Sequence, residues 1–137
     1  MEPISGDRAL SRSRPRPRPG PWPARPAGLR PAWFYVGRRR GPEVLVVSGA
    51  AVERLAHREY RSPAPFAWGA GASWLGRVEL AFALLADLSG RRPPDAVAFA
   101  LYGGLVGRLP AARFVLSEVE LERWLARAGH DPLAWAP

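Results

Sequence analysis

The chain has 137 residues, with sixteen prolines, no cysteine and a formal net charge of +8. That length allows one domain with some tail, large enough to bury a core without metal or disulfide help. The missing cysteine excludes disulfides, thiolate zinc sites and thiol nucleophiles. No stretch approaches the ~20 apolar residues of a membrane span, and the basic N-terminus runs into proline and arginine instead of an apolar segment, unlike a secretory signal. A cytoplasmic location is therefore expected. Residues 1–31 hold seven Arg against Glu2 and Asp7, a balance of +5, and residues 32–137 hold thirteen Arg against ten acids, a balance of +3. All twenty basic residues are Arg, in a chain rich in Ala, Gly and Pro. This pattern reads as a GC-rich coding bias, so part of the positive charge need not reflect a polyanionic partner.

Residues 1–31 carry eight of the prolines. Proline lacks a backbone donor and restricts its predecessor, and so polar a stretch buries too little apolar surface to offset ordering entropy. It is expected to be a disordered or polyproline-like tail: an arm for nucleic acid or an acidic partner, a solvated extension, or a leader ahead of a later start. The fold is expected to begin near Ala32. Trp33 to Val36 and Glu43 to Val47 are aromatic and β-branched strand candidates, joined by Gly37-Arg38-Arg39-Arg40-Gly41-Pro42, so they predict a β-hairpin. Arg38, Arg39 and Arg40 then occupy its tip, either gripping phosphates or keeping the tip soluble. Ala50 to Glu59 places Val52, Leu55 and Ala56 at helical spacing and predicts a short helix. His57, with no second ligand or nucleophile near it, reads as a surface side chain.

Ser62-Pro63-Ala64-Pro65 breaks the preceding element. Phe66-Ala67-Trp68 reads as a short third strand or an extended approach to the glycine-rich turn Gly69 to Ser73. That turn lacks the Gly-Lys-Ser/Thr of a Walker A loop and the spacing of the dinucleotide fingerprint. A generic reading remains: Trp68, Gly69, Gly71 and Ser73 at a helix start either leave backbone N–H groups for an anion or simply turn the chain. From Leu75 to Leu88 the apolar residues predict a central, largely buried helix, with Ser73 as N-cap and Ser89-Gly90 as its stop. A second apolar helix follows Pro94 and Asp95 to about Leu109, with Gly103 and Gly104 permitting close contact or a kink. Ala112 to Leu116 reads as a short strand or link. Ser117-Glu118-Val119-Glu120 matches a capping box, with Leu116 and Leu121 as its hydrophobic staple. The helix it opens runs to about Ala128, where Gly129 stops it. Glu118, Glu120 and Glu122 are expected on its exposed face. Residues 130–137 form a C-terminal tail.

The order Tyr35-Val36-Gly37-Arg38-Arg39, Ser62-Pro63, Phe66-Ala67-Trp68-Gly69-Ala70-Gly71, Leu80 to Asp87, Leu109-Pro110, Phe114-Val115-Leu116, Glu120-Leu121 and Trp124-Leu125 resembles a small bacterial, archaeal and phage family, domain of unknown function 6166. The resemblance spans about residues 33–126. The family typically carries a Gly-Ser-Gly-Pro-x-Gln run where this chain has the longer Ala72 to Glu79, without the Pro or Gln. The resemblance implies a compact α+β domain and transfers no catalytic residue.

The fold class expected is therefore α+β: an N-terminal β-hairpin plus one or two short strands packed on about three α-helices, in one domain over residues 32–129. No nucleophile, base or metal constellation is evident, so an enzyme, a cofactor and a metal are not expected. The leading expectation is a protein-interaction module, binding an unknown protein partner or itself. Six Trp favour an interface, with Trp22, Trp33, Trp74 and Trp135 as those open to exposure. The alternatives are an accessory nucleic-acid binder, using the Arg-rich tail and hairpin tip, and a small-anion or nucleotide-binding protein of phage–host conflict type, using the 69–73 loop. A membrane partner is not expected.

Overall fold

The computed structural model of the chain describes residues 33–38 and 43–135. The predicted tail, Trp22, Arg39 and Arg40 lie outside the described residues. Strand β1 (Trp33–Arg38) pairs antiparallel with β2 (Glu43–Ser48), from Trp33 opposite Ser48 to Arg38 opposite Glu43. This is the expected hairpin. The chain then departs from the predicted helix over residues 50–59, because Ala51–Arg54 is a strand, β3, antiparallel to β2. Ser48 faces Ala51, so Gly49 and Ala50 form a two-residue hairpin turn, and Gly49 takes a φ of 59°. Two-residue hairpin turns need such positive φ values. Over four residues, the helical and strand periods of the apolar side chains cannot be told apart, and the open edge of β2 supplies hydrogen-bond partners that a short helix would have left unpaired.

Phe66 to Trp68 is extended without joining the sheet. Helix α1 (Trp74–Ser89) follows, with Ser73 as N-cap accepting from the Gly76 N–H and Gly90 closing the helix at φ 72°. Next come α2 (Asp95–Gly104), a 3₁₀ turn at Val106–Arg108, β4 (Arg113–Ser117) and α3 (Glu118–Arg127). The last strand pairs antiparallel with β1, giving the order β3-β2-β1-β4. At α3 the capping box is present in both directions: Ser117 Oγ accepts from the Glu120 N–H and the Glu120 carboxylate accepts from the Ser117 N–H.

One face of the sheet carries Trp33, Tyr35, Val44, Val46, Phe114 and Leu116, all buried. They join a single core with α1, α2 and α3, and α1 is buried nearly all round from Val78 to Leu85. Each large side chain removed from water here contributes about 1.5–3 kcal/mol. The 65–67 backbone lies directly on the first turn of α1, where the Ala67 N–H donates to the Gly76 carbonyl at 3.2 Å. A Cβ on Gly76 would stand 2.3 Å from the Pro65 oxygen. Only glycine permits that approach. Helices α1, α2 and α3 thus pack on one face of the sheet, and among the described residues no element lies on the other.

Candidate interaction surfaces

Side chains alternate across a strand, and every second residue of these four strands points away from the helices. Cross-strand register assembles them into rows. Phe34 lies between Ser117 and Val47, with Val52 beyond, and Val36 lies between Val115 and Leu45, with Arg54 beyond. The third row is Arg113, Arg38 and Glu43. Phe34, Val36, Leu45, Val47, Val52 and Val115 therefore form one continuous apolar band, with Val115 53% and Phe34 41% exposed. At its end stand Arg38, Arg54 and Arg113 with Glu43 among them. Glu43 lies 3.6 Å from Arg38 and 3.9 Å from Arg54. Arg38 and Arg113 are direct cross-strand neighbours of like charge, an arrangement that destabilises a sheet unless an anion relieves it.

Trp68, Gly69, Gly71 and Ser73 lie on the other side of the sheet. Trp68 is buried edge-on against Phe114 at 5.1 Å, and the Phe114 ring lies over Gly37 in β1. The 68–71 turn therefore sits at the same end of the sheet as Arg38 but behind it, and the two do not form one site. The Gly69 N–H donates to the Val106 carbonyl at 3.1 Å, and both Gly69 and Gly71 take positive φ. Ser73 spends its hydroxyl oxygen on the helix cap. Beside the turn is a recess of about 200 Å³ lined by Phe66, Trp68, Gly71, Ala72 and Ala111 among others. It carries no charged side chain, and the Trp68 Nε1–H is buried without a hydrogen-bond partner.

The structure also assembles polar groups that local sequence did not reveal. Glu79, on α1, is 0% exposed. Its carboxylate accepts from three successive backbone N–H groups, those of Tyr60 and Arg61 at 2.7 Å each and Ser62 at 3.1 Å. His57 Nε2 lies 3.2 Å from the same carboxylate, and its ring packs 4.6 Å from Phe66. This corrects the reading of His57 as a surface residue. Glu118 is likewise not part of an exposed acidic face. It is 2% exposed and accepts from the Trp33 N–H at 3.2 Å. Trp33 itself is buried, and its indole N–H donates to the Tyr35 hydroxyl, which donates to Asp87. Trp135 is buried too, whereas Trp74 is half exposed. A carboxylate three residues after an N-cap is legible in sequence. A carboxylate answering N–H groups nineteen residues away in the chain is not.

Between the 55–60 segment and the end of α1 lies a cleft of about 260 Å³ lined by Arg58, Tyr60, Ala86, Asp87, Arg91 and Arg92 among others. Burial pushes the Tyr60 phenol above its ordinary range, and the neighbouring Arg58 and Arg92 oppose that shift only in part. Among the described residues no group of three or more His, Asp or Glu could hold a metal ion, and no helix is long and apolar enough to cross a membrane. The chemistry on offer is apolar contact on the outer sheet face and guanidinium recognition at its end and in the cleft.

The model of one family matches residues 35–127, and its description is a family of unknown function, DUF6166. No curated protein and no solved structure matches the chain.

Proposed function

The chain belongs to the DUF6166 family, and we propose that it is a non-enzymatic cytoplasmic module that docks an acidic protein partner on the open face of its sheet. One observation carries this reading: six apolar side chains form an unbroken band beside an arginine cluster on a face that no element of the described chain covers. An antiparallel sheet with one face in water normally presents polar residues there. With strands about 4.8 Å apart and residues about 3.4 Å apart, the face measures on the order of 400 Å². The apolar band is part of that face, and the largest apolar patch on a monomer's surface is often a functional one. The guanidinium groups set the partner's charge, since among the described residues Glu43 is the one carboxylate paired with Arg38 and Arg54, and Arg113 stands beside them.

A nucleic acid fits the cluster but not the band. Single-stranded bases stack on aromatic rings, and Phe34 is the one aromatic among the six apolar residues. Aliphatic Val and Leu side chains favour a protein surface instead. A photo-crosslinking residue placed at Val115 tests the reading, with Leu133 as a control of matched exposure, 54% against 53%. The expected result is a protein adduct at Val115 that is absent at Leu133 and is lost when Arg38 and Arg113 are replaced by Glu. Equal adducts at both positions, or adducts that a nuclease removes, would refute it. An adduct of twice the chain's mass would make the partner a second copy and overturn the acidic-partner assignment.

A further inference from the structure

We propose that the cleft between the 55–60 segment and the C-terminal end of α1 is a binding site for a small phosphate-bearing ligand, held by the guanidinium groups of Arg58 and Arg92. The site is separate from the outer sheet face and does not depend on what docks there. Its floor includes Ala83 and Ala86, whose small side chains leave the cavity open against the helix. Its lining includes three arginines, Arg58, Arg91 and Arg92, and one carboxylate residue, Asp87. Two of these charges are already engaged, as Arg91 donates to the Trp135 carbonyl at 2.8 Å and Asp87 accepts from the Tyr35 hydroxyl. Arg58 is exposed, with no ion-pair partner among the described residues. Arg92 reaches Asp95 only at 3.7 Å, beyond hydrogen-bond length, so its N–H donors remain for a ligand.

Arg92 is also held in place. Its guanidinium carbon lies 5.4 Å from the centre of the Tyr60 ring and 5.2 Å from that of Phe82, and those two rings stack on each other at 5.3 Å. Such cation–π contacts fix the plane of the fork before any ligand arrives. The opposite wall is fixed by Glu79, which pins the backbone of Tyr60, Arg61 and Ser62. A second observation marks the same segment. Glu59, between Arg58 and Tyr60, has a φ of 50°, and no other described residue except glycine has positive φ. Backbone strain of this kind persists where the surrounding structure imposes it, and it concentrates at ligand sites. Three consecutive N–H groups following a left-handed residue form a nest that ordinarily holds an anion. Here Glu79 fills that nest, so an incoming anion must be held by the side chains. Two planar forks lining one cleft beside Tyr60 offer more donors than the two oxygens of a carboxylate can take, and suit the several oxygens of a phosphate. A volume of about 260 Å³ leaves room for a body the size of a pentose beside the phosphate.

The test is titration calorimetry of the full chain with orthophosphate, ribose 5-phosphate and ribose. Saturable heat is expected for the two phosphates and none for ribose. Arg58→Glu and Ala86→Leu are each expected to weaken binding about tenfold or more, while Arg123→Glu, on the exposed side of α3, leaves it unchanged. Arg58 is exposed, so its variant should fold and decides the matter even if Ala86→Leu does not. No saturable heat, or phosphate binding equally strong in Arg58→Glu and the parent, would overturn the proposal. The second outcome would assign the binding to arginines elsewhere in the chain.

Discussion

Replacing Glu79 tests whether a buried carboxylate organises the loop that follows β3. In the native chain the carboxylate is 0% exposed and takes three backbone N–H donors at 2.7, 2.7 and 3.1 Å. Hydrogen bonds to a charged group contribute about 1.5–3 kcal/mol each, but these three share one acceptor, and the loop can rehydrate part of what it loses. Glu79→Ala is therefore expected to cost about 4 kcal/mol, a large fraction of the roughly 5–15 kcal/mol that holds a domain folded. Glu79→Gln keeps the shape and one oxygen but turns an amide NH₂ toward a backbone donor. Its expected cost is about 2 kcal/mol. At roughly 4–8 °C per kcal/mol for a domain of this size, thermal melts followed by circular dichroism should separate the two variants clearly. Hydrogen exchange gives the local readout: the Tyr60, Arg61 and Ser62 amides should lose protection in both variants before the amides of α1 do. If Glu79→Gln melts within about 0.5 kcal/mol of the parent, the range of an ordinary surface change, and residues 60–62 stay protected, the reasoning fails.

Other outcomes follow from single contacts. Gly76→Ala would improve helix propensity by about 1 kcal/mol, yet the new Cβ would stand 2.3 Å from the Pro65 oxygen. Net destabilisation in a denaturant melt is expected, and a more stable variant would show that the 65–67 segment does not lie on the helix. Ser117→Ala removes one half of the capping box and should cost about 1 kcal/mol, seen as a lower melting temperature. Tyr60 gives a pH test. Its folded phenol lies above the ordinary 10.0 because burial opposes the phenolate. The folded chain therefore holds this proton when the unfolded chain has released it. The stability so contributed is fully present below the unfolded value and is lost as pH rises through the higher folded one. Tyr60→Phe should flatten that alkaline decline in urea melts, and an unchanged slope would contradict it.

Features that depend on neighbouring residues were legible in the sequence. Ser73 before α1, Gly90 after it, and the Ser117–Glu120 box before α3 stand where capping chemistry places them, because a helix end is satisfied by groups within three or four residues. The aromatic and β-branched runs at residues 33–36 and 43–47 likewise specified the hairpin, and together these features specified the α+β class. Tertiary structure decided what lies beyond that range. Ala51–Arg54 became a strand because β2 offered it an edge. Glu118 reads as part of an exposed helix face, yet it and Glu79 are both buried, because their donors arrive from other parts of the chain, in one case from a residue 85 positions away. Alternation showed that each strand has two faces but not which would stay open. Helices α1, α2 and α3 packed on the side of Trp33, Tyr35 and Phe114, and that choice left Phe34, Val36 and Val115 facing outward.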